Sequence, residues 1–275
     1  MLLDLNKDTK LCISVSARPG NFGTRFQNFL YRELGLNFVY KAFAAEDIQG
    51  VITGIRALGI RGCAVSMPFK ESCIEYLDEL DSSARGIESV NTIVNDQGHL
   101  KAYNTDYSAV FQLLKSYQIS TDTEFAVLGS GGMAKAVVCA LRDSGFSHGF
   151  VIARNERTGS ILASRYGYNW RLEMGDARPG LLINASPIGM AGGKEAQDLA
   201  FSYESVARAR TVFYVVAVPV DTPLLTLAKS LDKKVISGAE VIVLQAVEQF
   251  VLYTGIRPKP ELIKQAADHA FSTEQ

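Results

Sequence analysis

Residues 125–137 read FAVLGSGGMAKAV, an apolar run that three glycines interrupt before helix-forming residues follow. Gly129, Gly131 and Ala134 have the spacing GxGxxA. In a dinucleotide-binding loop the first position permits a tight turn, the second lets the backbone approach a pyrophosphate, and the third lets the helix pack close to the strand. The N–H groups and the dipole of that helix favour an anion. The predicted phosphate-binding loop comprises Gly129, Ser130, Gly131, Gly132, Met133 and Ala134.

Short apolar runs alternate with amphipathic stretches on both sides of this loop, which is the order that parallel sheets with crossover helices produce. Before the loop, the pattern predicts strands at 11–16, 37–43, 61–66 and 89–94, and helices at 24–34, 46–58 and 69–80. After a helix at 107–117, it predicts strands at 124–129, 149–153, 181–186, 212–218 and 234–237. Two final helices, at 239–254 and 260–271, could pack on either domain. The sequence therefore predicts the α/β class, with two α/β domains.

The strand after the glycine loop discriminates between nucleotides. A glycine-rich turn without a ligand is the alternative, but the strand, helix and further βα repeat around this loop favour a nucleotide. For NAD, an Asp or Glu is expected about 20 residues later to bind the ribose diol. VIARNERTG instead has Arg154 and Asn155 there, with Glu156 beside them. The alternative is a solvated loop arginine, but a guanidinium matches a 2′-phosphate bidentately and no acid stands in position to repel it, so NADP is favoured.

Composition indicates a cytoplasmic protein with small-molecule partners. The 275 residues are 47% hydrophobic with a formal net charge of -1, which gives no attraction to nucleic acid or to an anionic membrane. The N-terminus, MLLDLNKDTK, lacks the pattern of a signal peptide, and the longest apolar run, at 212–220, is too short to span a bilayer. Four cysteines without CxxC spacing and three isolated histidines predict neither a disulfide framework nor a metal site.

The first α/β domain must then hold the substrate. Lys70 follows a strand and a proline, near the sheet edge where open α/β folds bind ligands, but an exposed lysine is the ordinary interpretation. Asp106 precedes the apolar-periodic stretch YSAVFQLLKSY and could be a helix N-cap. Asn91, between apolar residues at a strand bend, could merely satisfy backbone groups. On spacing alone, none of the three is assigned to catalysis.

A series of motifs resembles that of the shikimate dehydrogenase family, in the same order and over nearly the whole chain. The motifs are AVSMPFK, SVNTI, NTD, VLGSGGMAKA, VIARN, NASPIGM and SGAEVIVLQAVEQFVLYTG. The resemblance implies a substrate-binding domain of residues 1–106 and 239–275, to which the last helices return, and a Rossmann-type NADP-binding domain of residues 107–238. It implies reversible hydride transfer between NADP and the hydroxyl carbon of shikimate, a step of aromatic amino acid biosynthesis.

The resemblance also assigns roles residue by residue. Lys70 and Asp106 match the family's catalytic lysine and aspartate, which can form the acid and base pair that takes the hydroxyl proton as hydride leaves carbon. Substrate-binding positions are matched by Asn21, Ser66, Asn91 and Gln245, with Ser66 where threonine is usual. Cofactor-binding positions beyond the glycine loop are matched by Arg154, Asn155, Ser186 and Gly238. The residues alone leave the division of labour between Lys70 and Asp106 open.

The departures from the family fall on the part that reads the substrate carboxylate. The family places two serines, spaced SxSP, where this chain has Asn21, Gly23 and Thr24. A positive φ at Gly23 is expected if the loop backbone has diverged. Ala64 replaces an asparagine, and Ala217 stands where a tyrosine is common.

These departures resemble a shikimate dehydrogenase-like paralogue rather than the standard biosynthetic enzyme. Three functions stay open: a shikimate dehydrogenase of reduced efficiency, a dehydrogenase of quinate or another hydroxylated cyclic acid, and a non-catalytic NADP-binding regulatory protein. Either a monomer or a homodimer is compatible with the sequence.

Overall fold

The structure is a computed structural model, and it describes residues 5–215 and 221–272. The chain divides into two compact units: residues 5–105 with 243–272, and residues 106–215 with 221–242. Each contains a six-stranded sheet with helices. The predicted α/β class with two α/β domains is confirmed.

The elements follow one another along the chain as the alternation of apolar runs predicts. The strands are β1 Lys10–Ser16, β2 Phe38–Ala44, β3 Gly62–Val65, β4 Glu79–Leu80, β5 Thr92–Asp96, β6 His99–Tyr103, β7 Phe125–Leu128, β8 Gly149–Ile152, β9 Asn169–Arg171, β10 Leu181–Asn184, β11 Thr211–Tyr214 and β12 Lys234–Ile236. The helices are α1 Phe22–Glu33, α2 Ile48–Ala57, α3 Ser82–Arg85, α4 Thr105–Ser116, α5 Gly132–Asp143, α6 Glu156–Arg165, α7 Tyr203–Arg208, α8 Pro223–Ser230, α9 Gly238–Thr254 and α10 Pro260–Phe271.

The sheet of the first unit is mixed. Its strand order is β2-β1-β3-β5-β6-β4, with β1 parallel to β2 and β3, and β5 antiparallel to β3 and β6. Ile13, Val15 and Ile93 point to one face and form a buried core that includes two residues of α2, Ile52 and Ile55. Because successive strand residues alternate between faces, the polar and small residues of β1 face the other side.

Helix α9 packs against that other face. The Tyr253 ring lies so near Gly62 that a Cβ at position 62 would be 2.3 Å from two of its carbon atoms. A larger residue at position 62 would therefore displace the Tyr253 ring. Further along the strands, toward the carboxyl end of β1, the register aligns Ala42, Ser14, Ala64 and Thr92 across the four strands β2, β1, β3 and β5. This row across the sheet is thus built from small side chains.

Residues 69–80 do not form the predicted helix, and that prediction is wrong. A 3₁₀ turn at Ile74–Tyr76 leads into β4, which pairs in parallel with β6. The Leu100 N–H donates to Asp78 Oδ2 at 2.7 Å. Strand β6 was itself not predicted, although the turn before it ends in Gly98 at φ 92°, a hairpin feature. Pairing with this distant strand overrides the local helical pattern.

The second unit has the strand order of a Rossmann fold. Its sheet runs β9-β8-β7-β10-β11-β12, and each neighbouring pair is parallel. Written by order along the chain, this is 3-2-1-4-5-6, whose direction of winding reverses between β7 and β10. In open α/β sheets ligands bind outside the carboxyl ends of the strands at that reversal. The glycine loop directly follows β7, so the fold brings it to the expected binding edge.

Among residues 5–215 and 221–272, none of the helices combines the length and the apolar character that crossing a membrane requires.

Candidate functional site

The glycine loop is built from two glycines with different tasks. Gly129 has φ +125°, and a Cβ there would lie 2.8 Å from the Ala185 carbonyl oxygen, so both conformation and space require glycine. Gly131 has an ordinary φ of -81°, and among the described residues other than its chain neighbours no heavy atom lies within 4 Å of the position of its Cβ. Glycine at position 129 is therefore required by the backbone and its packing, whereas glycine at position 131 leaves open space above the backbone.

That open space lies at the start of α5. Gly131 is the N-cap of this helix, and no side chain caps it. Helix N-terminal N–H groups require partners from outside the helix and favour an anion. Ala134 is fully buried, as close contact between helix and strand requires. The Ser130 and Thr158 hydroxyl oxygens are 2.8 Å apart, which connects the loop to α6. These residues fit a pyrophosphate.

Ser186 lies on the other side of the winding reversal. Its hydroxyl donates to Asn184 Oδ1 at 2.6 Å, and the Ile188 N–H donates back to the Ser186 hydroxyl at 3.3 Å. Since Gly129 packs against the backbone of Ala185 and Ser186, the turn after β10 and the glycine loop form one wall. The prediction that Ser186 contacts a cofactor is compatible with this position.

Arg154 has an acidic neighbour, so the prediction that no acid stands in position to repel an anion there is wrong. Its guanidinium donates to both carboxylate oxygens of Glu195, at 2.9 and 3.1 Å. Glu195 is 41 residues away in the chain, so no local motif indicates this contact. Asn155 is the N-cap of α6 and accepts from the Thr158 N–H at 3.1 Å. Its side chain therefore has a structural role at the predicted cofactor position.

Gly238 is the first residue of α9. The flanking residues form a capping box: the Ser237 N–H donates to Glu240 Oε2 at 2.9 Å, and the Glu240 N–H donates to the Ser237 hydroxyl at 3.4 Å. The Tyr117 hydroxyl donates to Glu240 Oε1 at 2.7 Å. Burial and this carboxylate raise the pKa of Tyr117 to about 12, so Tyr117 stays a neutral donor. The position of Gly238 is thereby fixed within the second unit.

In the first unit, Asn91 is the centre of a buried polar network. The Asn91 side chain is fully buried. Its Oδ1 accepts from the Thr105 N–H at 2.8 Å and from the Thr92 hydroxyl at 2.9 Å. Its Nδ2 is buried without a hydrogen-bond partner among the described residues. A buried donor without a partner costs about 1–3 kcal/mol, so this amide fits a ligand oxygen better than it fits an empty protein interior.

Gln249 also belongs to this network, and this residue was not predicted from the sequence. Its Nε2 donates to the Thr92 hydroxyl at 3.1 Å and contacts the Asn91 carbonyl oxygen at 3.4 Å. The predicted substrate residue Gln245 lies four positions earlier on α9, on the same helix face, and is half-buried. A polar side chain repeated at helical spacing in an otherwise apolar helix was the available signal.

Lys70 and Asp106 are each connected to the Asn91 segment. The Val90 N–H donates to the Lys70 carbonyl oxygen at 2.8 Å, which fixes the backbone of Lys70. Asp106 directly follows Thr105, whose N–H is held by Asn91. Asp106 lies inside the first turn of α4 rather than before it, so it is not the N-cap, and its side chain is buried. A buried carboxylate is uncommon and is favoured at a helix N-terminus.

The predicted carboxylate-binding positions lie at the start of α1. Asn21 is exposed and is the N-cap of this helix, without a side-chain capping bond. Gly23 is helical and its φ is not positive, so the loop backbone has not diverged in the way that would resist serine. A Cβ at Gly23 would be 3.4 Å from the Tyr40 hydroxyl oxygen. The Tyr40 hydroxyl is therefore within reach of a side chain at position 23.

Ser66 is exposed directly after β3, and its N–H donates to the Val15 carbonyl oxygen at 2.9 Å. It therefore extends the β1–β3 pairing at the same sheet edge as the start of α1. Ala217, where the family often has tyrosine, lies outside the described residues.

Comparison with known proteins identifies the family. The family model described as the shikimate dehydrogenase substrate binding domain matches residues 22–93. The shikimate dehydrogenase-like protein of Haemophilus influenzae is 56% identical over 266 residues, which cover 97% of this chain and 98% of the relative. The shikimate dehydrogenase of Dehalococcoides mccartyi is 33% identical, covering 90% of this chain and 91% of the relative.

A solved structure of a family member has the same fold as this chain. The shikimate 5-dehydrogenase of Thermus thermophilus, in complex with NADP(H) and shikimate, is 28% identical and has a TM-score of 0.84, covering 95% of this chain and 100% of the other. The chain belongs to the shikimate dehydrogenase family, as the motif series predicts.

Proposed function

We propose that this protein is an NADP-dependent oxidoreductase that interconverts shikimate and 3-dehydroshikimate, with low efficiency. The observation that carries the proposal is the phosphate cradle: Gly131 opens onto free space at an uncapped helix start, at the winding reversal of a Rossmann-ordered sheet. Family membership supplies the reaction type. The second unit would bind NADP, and the first unit would bind the hydroxylated cyclic acid.

In the second unit, the loop from Gly129 to Ala134 would hold the pyrophosphate and Arg154 the 2′-phosphate. When bound, the nicotinamide supplies the hydride acceptor and donor. The chain's own contribution in the first unit is to orient the substrate: the Asn91 amide has a buried donor available for a substrate oxygen. Gln245, on the same helix face as Gln249, is proposed to contact the substrate as well, and Ser66 stays a proposed contact at the sheet edge.

Lys70 and Asp106 are proposed to move the hydroxyl proton. The substrate hydroxyl must lose a proton as its carbon loses hydride, and a positioned side chain supplies about 10² to 10⁴ in rate for such a transfer. We expect Lys70→Ala to lower kcat about a hundredfold or more while the Kd for NADP changes little, since Lys70 belongs to the first unit. Lys7→Ala is the matched control, because Lys7 is 87% exposed and pairs only with its neighbour Asp8 among the ion pairs described.

The proposed low kcat/KM for shikimate follows from the positions that would bind the substrate carboxylate. Two serine hydroxyls of the family are replaced by Asn21 and Gly23. A hydrogen bond to a charged group contributes about 1.5–3 kcal/mol, so the loss of two lowers kcat/KM by about two to four orders of magnitude if nothing replaces them. Misplacing a substrate by about 1 Å can cost a hundredfold in rate, so kcat falls along with binding.

The same substitution favours a second candidate, the dehydrogenation of quinate or another hydroxylated cyclic acid. A binding site that has lost contacts to one carboxylate discriminates less against related acids. Steady-state kinetics with shikimate, quinate and further polyol acids, each with NADP and NAD, distinguish the two functions. A preferred acid other than shikimate would replace the first proposal by the second, and NADP binding without turnover of any acid would overturn both.

The double variant Asn21→Ser, Gly23→Ser tests the reason for low efficiency. We expect kcat/KM for shikimate to rise, since Gly23 is helical and a serine Cβ fits at 3.4 Å from the Tyr40 hydroxyl. Each single variant is the control for the other. A parent as efficient as a biosynthetic shikimate dehydrogenase would show that other residues already hold the carboxylate.

A further inference from the structure

The guanidinium of Arg154 already has a bidentate anionic partner. Nη1 and Nη2 donate to the two carboxylate oxygens of Glu195, at 2.9 and 3.1 Å. A phosphate group binds an arginine through the same two N–H edges. A 2′-phosphate that binds through Nη1 and Nη2 would therefore compete with Glu195 for the same two N–H groups.

The position of Glu195 is fixed by the backbone that carries it. Its carbonyl oxygen accepts from the Gly189 N–H at 2.9 Å. The residue before Gly189, Ile188, accepts from the Tyr214 hydroxyl at 2.8 Å and from Asn184 Nδ2 at 3.0 Å. Asn184 and Tyr214 are the last residues of β10 and β11. The turn that bears Glu195 is thus anchored to the binding edge of the sheet, beside the nucleotide loop.

We propose that Glu195 sets the cofactor discrimination of this protein, by competing with the adenosine 2′-phosphate for Arg154. The inference rests on the proposed function, in which Arg154 binds that phosphate. NADP must displace the carboxylate and then tolerates a negative charge nearby, whereas NAD leaves the ion pair intact. Glu195 consequently weakens NADP binding selectively, and the chain prefers NADP over NAD less strongly than Arg154 alone would dictate.

The size of the effect of Glu195 on the Kd for NADP follows from the exposure of the two side chains. The Arg154 side chain is 72% exposed and that of Glu195 33% exposed. Exposed ion pairs contribute little, at most about fivefold in an equilibrium constant, and repulsion between Glu195 and the bound phosphate adds to this. We therefore expect Glu195→Gln to tighten NADP binding about three- to tenfold at low salt and to leave NAD binding unchanged. The gain should shrink at high salt, since such charges are screened.

The test is a double-mutant cycle on cofactor affinity. Isothermal titration gives the Kd of NADP, NAD and 2′,5′-ADP for the parent, Glu195→Gln, Arg154→Ala and the double variant. We expect Glu195→Gln to tighten the binding of NADP and 2′,5′-ADP in the parent background. The gain should be smaller when Arg154 is absent, because only the repulsion between Glu195 and the phosphate then remains. Glu124→Gln is the matched control, because it removes the same charge at the opposite end of β7.

The outcomes separate the two proposals. If the parent prefers NADP and Glu195→Gln leaves the NADP to NAD ratio unchanged or lowers it, the inference is overturned while the proposed function stands. An equal gain for NAD, or an equal gain from Glu124→Gln, also overturns it, since either indicates a general charge effect. If no variant binds either dinucleotide, the proposed function fails and this inference fails with it.

Discussion

Two glycines of the nucleotide loop should respond in opposite ways to the same substitution. Alanine at Gly129 should destabilise the fold, whereas alanine at Gly131 should leave the fold intact and weaken dinucleotide binding. The two positions are two residues apart, so each variant is the control for the other. The contrast separates the glycine that the backbone requires from the glycine that a ligand requires.

The magnitude at Gly129 follows from its backbone. With φ +125° the residue occupies a region that side chains rarely adopt, at a cost of about 1–3 kcal/mol. A Cβ would also lie 2.8 Å from the Ala185 carbonyl oxygen and 2.9 Å from its carbonyl carbon, so the turn after β10 must shift. We expect Gly129→Ala to lower the free energy of unfolding by about 2–4 kcal/mol, an apparent Tm decrease of several degrees.

The magnitude at Gly131 is set by the ligand. Its φ of -81° and ψ of -173° suit alanine, and no heavy atom of the described residues beyond its chain neighbours lies within 4 Å of the Cβ position. As an N-cap, alanine is somewhat worse than glycine, but it reduces the entropy of the unfolded chain, and the two effects nearly cancel. The methyl group would, however, occupy the space of a phosphate. Loss of one charge-assisted hydrogen bond raises the Kd for NADP about tenfold to a hundredfold.

Thermal unfolding with and without NADP, together with isothermal titration, measures both effects. Gly131→Ala should melt like the parent without nucleotide and gain less stability than the parent when NADP is added. If Gly131→Ala bound NADP as tightly as the parent, the open space above Gly131 would not be the phosphate site. If Gly129→Ala were as stable as the parent, the strain argued from its φ would be wrong.

Two further predictions concern the first unit and the thiols. Arg56 donates to Asp78 Oδ2 at 2.7 Å and to the Tyr76 carbonyl oxygen at 2.9 Å. Arg56→Met should lower the free energy of unfolding by about 1–2 kcal/mol at pH 7. Arg56 lowers the pKa of Asp78, so the ion-pair part of this stability difference is fully present above the unfolded pKa of Asp78, about 3.9, and is lost as the pH falls through the folded pKa. Urea unfolding of both proteins from pH 7 to 3.5 measures the stability difference. A difference that did not change with pH would contradict the prediction. Burial raises the pKa of all four cysteine thiols, to about 12 for Cys12 and Cys73 and to about 11 for Cys139, and it raises that of Cys63 as well. A thiol reagent at pH 8 should therefore modify none of the four in the folded protein, and all of them once urea unfolds the chain.

The sequence predicts the nucleotide half of the protein well because its signals are local. A GxGxxA loop, the strand before it and the helix after it are contiguous, and the local pattern also specifies where α5 begins. Strand order is not local, yet right-handed βαβ connections limit the alternatives to a few. The final helices were predicted within one residue at 239–254 and 260–271 because their apolar runs are long and their starts are marked, by the capping residue Ser237 and by a proline, Pro260, at the first helical position.

Contacts between distant residues were not predictable from one sequence. Arg154 meets Glu195 from 41 positions away, and Gln249 meets Asn91 from 158 positions away. Helical spacing marks Gln249 as a polar residue on the face of Gln245, but the partner of neither residue follows from periodicity or from a motif, since both contacts depend on which loops and faces the fold brings together. The failed helix at 69–80 has the same cause, because its alternative is strand pairing with β6. Local patterns thus identify elements, whereas the residues that modify a site come from tertiary proximity.

The backbone at Gly23 bears on how the proposed carboxylate site of this chain differs from the family motif. Had Gly23 been in a left-handed conformation, the loss of serine there would have been a consequence of an altered backbone. It lies instead in regular helix, where any residue fits, and Tyr40 remains within reach of a side chain at that position. The Asn91 network and the small residues of the sheet face are independent of this change. The backbone of the site can therefore accept serine at position 23, so the difference in substrate use that we propose resides in side chains and should respond to their replacement.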